Sequence, residues 1–308
     1  LFMAIVNSRF KKAIESNRVL LDDQGGCRPG RTTTDKAASL IHKLLSRKHK
    51  NKKLYVAFFD MQKCFDSIDH ELIIESLKIM NVPENLIDLF SDIYDTHNIA
   101  EMDTAYGKTD DIEMQRGIRQ GCPFSPTLLN IVLDPILREL KRAHPHARMY
   151  AYVDDLAVVC ENREQLLQFC TNLKALWEKA GLYLGEDKGG CSKTAILTDD
   201  PSVQPITLDG GYNITIPIIP QGKAYKYLGI HIDADLSWAP AAEEIDRKLN
   251  SFLPYLRAKC FTQRQAVDII NTVLIPHITY RMAVIPGLEE KIKKWDNRIA
   301  YTLSLIHI

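Results

Sequence analysis

Residues 151–159 read Ala151-Tyr152-Val153-Asp154-Asp155-Leu156-Ala157-Val158-Val159. Two adjacent carboxylates stand between two short apolar runs of strand length. The pattern predicts a β-hairpin, Tyr150–Val153 followed by Leu156–Cys160, although the turn lacks the usual Gly. Other acid pairs occur at Asp22-Asp23, Asp110-Asp111 and Asp199-Asp200. Each lies in a polar or turn-like context, where a solvated turn accounts for it. The flanks of Asp154-Asp155 are strongly apolar, and burying a carboxylate costs several kcal/mol unless a partner compensates. No Lys or Arg lies within five residues on either side. A hard divalent cation with oxygen ligands, hence Mg²⁺, is the simplest compensation.

Asp60 repeats the arrangement at the end of Leu54-Tyr55-Val56-Ala57-Phe58-Phe59, a buried-strand run. If the two strands are neighbours, the carboxylates meet. Two cations held by such acids form the clamp used in phosphoryl transfer.

Around these strands the pattern is helical. Thr34 or Asp35 can cap a helix to about Arg47, Asp69 one to about Met80, and Asn162 a long one ended by Gly181. Pro83 opens another to about Tyr94, and Ser125-Pro126 starts one through Leu140 with a kink expected at Pro135. Tyr225–Ile232 reads as a further strand, 189–222 as loops and short hairpins, and the chain from about Ala239 as helix. The order is not a regular βαβ alternation, which argues against a doubly wound fold. An antiparallel sheet with helices on one face and helical lobes at each end fits better.

The chain has 308 residues, 45% hydrophobic and 25% charged, the composition of a globular protein. Its net charge is zero but unevenly placed. Residues 1–53 carry thirteen Lys/Arg and four Asp/Glu, so this segment is +9 and the remainder −9. A basic segment ahead of an acidic body can hold a phosphate backbone beside a cation site, and a solvated helix end explains the Lys43–Lys53 cluster equally well. Seven cysteines are scattered singly with no zinc spacing, which reads as reduced thiols in an intracellular protein.

At this point the residues match a family. Six blocks, in order, resemble motifs of reverse transcriptases, nearest those of non-long-terminal-repeat retrotransposons and group II introns. Gln24–Asp35 resembles the fingers motif, and 58–68, 116–126, 152–155 and 181–188 resemble the successive palm motifs. Tyr225-Lys226-Tyr227-Leu228-Gly229 resembles the primer grip. The resemblance implies an α+β right-hand polymerase fold: fingers at 1–53 with part of 70–115, an antiparallel-sheet palm at 54–235, and a helical thumb or connection at 236–302.

It also implies roles. Asp60 and Asp154 would be the main Mg²⁺ ligands, with Asp155 beside them, for two ions that Mn²⁺ could replace. Phe65 would lie under the incoming sugar and collide with a 2′-hydroxyl. Gln120 and Gly121 would face the nucleotide or template, and Arg28 and Arg31 its phosphates. Lys188 would be the general acid for pyrophosphate, although Gly185 and Gly189 stand where the family usually has Asn and Thr. Tyr225, Tyr227, Leu228 and Gly229 would lie near the primer end. The implied partners are an RNA template, a DNA or RNA primer and dNTPs, with no membrane.

The expected activity is RNA-templated DNA synthesis by a fragment of a non-LTR polyprotein. A group II intron maturase, an RNA-dependent RNA polymerase and a catalytically dead RNA-binding scaffold are the alternatives. Leu303–Ile308 reads like a translated sequencing adapter and is expected to carry no function.

Overall fold

The hairpin predicted around the acid pair forms, and a third strand lies against it. In the structure, a computed structural model, residues 1–96, 99–185, 193–259 and 261–306 are described. In chain order the elements begin with helix α1 (Phe2–Ser16), α2 (Thr33–His49), strand β1 (Tyr55–Phe59), α3 (Cys64–Ser67), α4 (His70–Ile79) and α5 (Glu84–Ser91). The last runs into a π-helical turn, Asp92–Thr96. Four two-residue strands follow: β2 (Ile99–Ala100), β3 (Asp103–Thr104), β4 (Gly107–Lys108) and β5 (Ile112–Glu113). Next come α6 (Ser125–Ala143), β6 (Arg148–Tyr152), β7 (Asp155–Val159), α7 (Arg163–Lys179), β8 (Ala195–Thr198), β9 (Ile206–Leu208) and β10 (Ile214–Ile216). The chain closes with β11 (Ala224–Tyr227), β12 (Ile230–Asp233), α8 (Ala239–Ala258), α9 (Gln263–Ile269), a second π-helical turn (Ile270–Leu274), α10 (Ile275–Met282) and α11 (Glu289–Leu305).

The chain divides into two compact units. The first comprises 1–32, 55–196 and 202–218, and the second 33–54, 197–201 and 219–308. These units cut across the lobe boundaries read from the sequence. The basic cluster on and after α2 belongs with the C-terminal helices.

In the first unit β6, β7 and β1 pair antiparallel, and the sheet order is β6-β7-β1-β8. β1 and β7 are buried over nearly their whole length, so both faces are apolar and the strands read as continuous hydrophobic runs. Phe59 stacks against Phe169 and Trp177 of α7, with ring centroids 6.2 and 6.4 Å away. Two caps fall where the sequence put them, whereas α2 starts at Thr33, so Thr34 and Asp35 lie inside its first turn and do not cap it. Asp69 accepts from the Glu71 amide and Asn162 from the Gln165 amide. Gly181, at φ 70°, ends α7, and the Leu182 amide donates back to Trp177.

Two expectations change. Tyr225–Ile232 is not one strand but the hairpin β11–β12, turned at Leu228-Gly229 with both φ positive, 45° and 81°. This is the geometry that a two-residue turn favours, and only its second position is the usual Gly. The stretch 1–16, given no element from the sequence, is helix α1, which buries Phe10 and Ile14 in the core of the first unit.

Arg28 faces inward. It is 6% exposed, its Nε and Nη2 donate to Glu15 of α1 at 2.7 and 2.9 Å, and its Nη1 donates to the Leu21 and Gln24 carbonyls. Those bonds tie the loop 20–30 to α1. The Arg28 hydrogen bond holds the Glu15 carboxyl below the usual carboxylate range. A depressed folded-state value means that the pair stabilises the fold above about pH 4.3, the unfolded carboxylate value. The stabilisation is lost as pH falls through the lower folded value. Glu15→Gln is therefore expected to lower unfolding free energy by about 1–2 kcal/mol at pH 7. At pH 3 the gap to the parent should narrow, as read by urea unfolding at both pH values.

In the second unit α11 packs on α8, where Trp295 Nε1 donates to Asp246 Oδ1 at 2.9 Å and Arg298 bonds Asp246 and Asn250. Tyr280 of α10 donates its hydroxyl to the Leu228 carbonyl, which fixes the β11–β12 turn. No described helix is long and apolar enough to cross a membrane.

Candidate active site

The sheet register brings the three acids together. Phe59 pairs with Leu156 across β1 and β7, and Tyr152 pairs with Asp155 across β6 and β7. Asp60, the residue following β1, therefore comes level with Asp155, and Asp154 sits in the turn. Burial, followed by the field of Asp154 and then Asp60, pushes the Asp155 carboxyl up to about 6. Burial and the field of Asp60 also raise Asp154. Asp154 and Asp155 are thus held where burial and neighbouring acids oppose their charge, which a cation would relieve.

One side-chain cation already stands there. Lys193 Nζ is 3.2 Å from Asp60 Oδ1, and this hydrogen bond raises the lysine value. Backbone and hydroxyl groups seat Asp60 further. Its amide donates to Thr194 Oγ1 at 3.3 Å, its carbonyl accepts from the Gly185 amide at 2.9 Å, and a Cβ at Gly185 would lie 3.0 Å from Asp60 Oδ2. The glycine where the family usually has Asn thus permits a close approach to the acid.

Hard oxygen donors of this kind fit Mg²⁺ by chemistry. Among the described residues, no group of three or more His, Cys, Asp and Glu side chains is placed so that it could hold a metal ion.

The acidic turn is held from outside the sheet. Val153 has φ 58°, an unusual value for a β-branched residue. Gln24, 1% exposed, accepts from the Val153 amide at 2.8 Å and donates to its carbonyl at 3.0 Å.

Phe65 lies on α3, half-buried against the core of the first unit. The segment 117–120 closes on it. The Ile118 amide donates to the Phe65 carbonyl at 2.6 Å, and Gln120 Nε2 donates to Asp66 Oδ1 at 2.8 Å. A Cβ at Gly117 would come within 3.2 Å of the Phe65 carbonyl. Gly121, at φ 83°, has open space where a side chain would start. The second and first palm blocks are thereby joined.

Arg31 is partly exposed and donates to Asp22 Oδ1 at 2.6 Å. Lys188 lies outside the described residues. Tyr225, Tyr227, Leu228 and Gly229 all belong to the hairpin of the second unit, with Tyr227 buried.

A family model described as reverse transcriptase (RNA-dependent DNA polymerase) matches residues 3–232. The chain belongs to the reverse transcriptase family. Several of the proteins it resembles are retrotransposon polyproteins. It is 27% identical over 277 residues to the Pol polyprotein of the type-2 retrotransposable element R2DM of Drosophila melanogaster, covering 86% of this chain and 25% of that one. It is 26% identical over 286 residues to the Pol polyprotein of a type-1 R2 element of Popillia japonica, covering 87% and 45%. The chain thus spans between a quarter and a half of the length of these two relatives. Among solved structures, apo telomerase from Candida tropicalis superposes with a TM-score of 0.52 at 14% identity, over 99% of this chain and 54% of that one. That likeness supports the right-hand polymerase fold. Enzymes of the reverse transcriptase family use divalent metal ions and bind an RNA template with a nucleic-acid primer.

Three residues that position the site went unnoticed in the sequence: Gln24, Lys193 and Thr194. None has a local pattern of its own. Gln24 stood inside a recognised block without a role, and Lys193 and Thr194 follow the fourth block in a polar stretch; Gly185 was noticed only as a departure from the family's Asn.

Proposed function

We propose that this chain is the polymerase core of a non-LTR-type reverse transcriptase, adding deoxynucleotides to a primer 3′-hydroxyl on an RNA template. The observation that carries the reading is the register that sets Asp60 level with Asp155, with Asp154 in the adjoining turn. Asp60 and Asp154 would hold Mg²⁺, with Asp155 beside them. When bound, the ions supply the positive charge that activates the primer hydroxyl and steadies the departing pyrophosphate.

The chain's own residues then position the reactants. Phe65 forms the floor under the sugar and excludes a 2′-hydroxyl. Gln120, oriented by Asp66, and the open backbone at Gly121 face the nucleotide. Arg31 offers a guanidinium for phosphate, while Arg28 holds the loop that carries it. Lys188 protonates the leaving group, an assignment that rests on the resemblance alone. The Leu228-Gly229 turn, with Tyr225 and Tyr227, supports the primer.

The test is direct. Purified chain with a primed RNA template and Mg²⁺ should extend the primer with dNTPs. Extension with ribonucleotides alone would replace this reading with an RNA polymerase, and no extension with either would leave an RNA-binding scaffold.

A further inference from the structure

The loop 23–26 runs beside β6, and for one step it behaves as a strand. The Gly25 amide donates to the Ala151 carbonyl at 2.8 Å, and the Ala151 amide donates to the Asp23 carbonyl at 3.0 Å. Two residues beyond Ala151, at Val153 just past the end of β6, a side chain takes over from the loop backbone. The Gln24 carboxamide accepts from the Val153 amide and donates to the Val153 carbonyl, as a peptide group of a neighbouring strand would. Its Oε1 also accepts from the Gly26 amide at 2.8 Å. Both lone pairs of that oxygen are then in use.

The clasp is built in. Gln24 is 1% exposed. A Cβ at Gly26 would fall 2.3 Å from the Val153 amide nitrogen and 2.4 Å from its Cγ2, so the loop backbone presses directly on the turn. The Gly26 carbonyl is tied to α6 by Asn130 Nδ2 at 2.6 Å, and Asn130 is buried as well. The chain of contacts runs from the core helix through the loop to the residue before Asp154.

That residue is where the turn is least natural. A two-residue hairpin turn with only its first position at positive φ ordinarily places Gly there. Here the position is Val153 at φ 58°, while Asp154 is not in the left-handed region. Left alone, a valine would leave that conformation and rotate the two following carboxylates with it.

We propose that Gln24 is a positioning residue for the acidic turn: its carboxamide clasps both polar groups of the Val153 backbone and thereby fixes the directions of Asp154 and Asp155. The proposal rests on the reading of these acids as cation ligands. Displacing reacting groups by about 1 Å can cost about 100-fold in rate. Removing a group that orients metal ligands costs on the order of 10- to 100-fold in metal affinity.

The experiment measures Mn²⁺ binding to the full chain by electron paramagnetic resonance, alongside steady-state primer extension. Gln24→Met keeps the bulk and removes the clasp, and Gln24→Ala is the second variant should either fold poorly by circular dichroism. The expected result is Mn²⁺ affinity lowered about tenfold and kcat lowered by at least about 30-fold, with KM for dNTP changed less than about threefold. Adding Val153→Gly to Gln24→Met should recover at least about fivefold of the lost affinity, because Gly adopts positive φ without strain. Leu77→Ala, a core change in α4 away from the acids, should lower the melting temperature and leave Mn²⁺ affinity in place.

Parent-like Mn²⁺ affinity in both Gln24 variants would overturn the proposal. So would a loss that Val153→Gly does not repair, since Gln24 would then not act through the turn. A parent chain that binds Mn²⁺ but extends no primer would sink the polymerase reading alone, because the metal measurement tests the clasp independently.

Discussion

Asp154→Asn is expected to leave the chain folded and to cut primer extension at least about 1,000-fold. The amide has nearly the shape of the carboxylate, so the turn between β6 and β7 keeps its packing. What goes is one of the charges that the cation needs. Burial and the field of Asp60 already raise the Asp154 carboxyl, so its ionised form is disfavoured by folding. Removing that charge should leave the melting temperature unchanged or raise it while activity collapses, the usual exchange between stability and function at a strained site. The checking measurements are thermal unfolding and single-turnover incorporation of one dNTP on a primed RNA template. A variant that incorporates within about tenfold of the parent would remove Asp154 from the metal site. Asp60→Asn should lose activity comparably for a second reason too, since it also weakens the contact with Lys193.

The hairpin and its acids were legible because two independent signals coincide on nine residues. Apolar runs of strand length fixed β6 and β7, and the cost of leaving charges between them pointed to a cation. The partner strand was legible for the same reason, since Leu54–Phe59 is apolar and ends in an acid. Three helix ends were readable from local chemistry: Asp69 and Asn162 cap with side-chain oxygens, and Gly181 supplies a positive φ.

The remainder depended on contacts distant in sequence. Gln24 lies 129 positions before Val153, and no periodicity links them. Asp60 meets Lys193 and Thr194 across 133 and 134 positions. Arg28 shows the converse. A guanidinium in a Gly/Pro-rich loop of a basic segment suits phosphate, yet here it is spent on Glu15 and on two carbonyls, because the loop needs anchoring to α1. The Leu228-Gly229 turn was missed because Tyr225–Ile232 is apolar enough to pass for one strand, and a single Gly is a weak breaker. Only the fold supplies Tyr280, whose hydroxyl holds that turn closed.

Phe65→Val should relax the sugar preference. Discrimination against a ribonucleotide, taken as the ratio of kcat/KM for a dNTP and its matching rNTP, is expected to fall about 100-fold. Incorporation of the dNTP itself should fall less than about tenfold. Lys63 at φ 46° turns the chain sharply after Asp60 and launches the short α3, which carries Phe65 five positions beyond the acid. The Ile118 amide pins the Phe65 carbonyl, and Gly117 packs so closely that a Cβ there would crowd Asp66 as well. If Phe65 is the proposed sugar gate, a ring on so constrained a turn cannot retreat from an added hydroxyl, and the exclusion would be steric without needing a hydrogen bond. Valine removes the ring and keeps a smaller apolar side chain against the core. The associated loss of stability should be about 1–3 kcal/mol, since the side chain is only half-buried. A variant whose ratio stays within about threefold of the parent would make Phe65 a core residue only. Selection would then have to be assigned to Gln120, which Asp66 holds beside the same turn and which has the donor and acceptor to read a sugar hydroxyl.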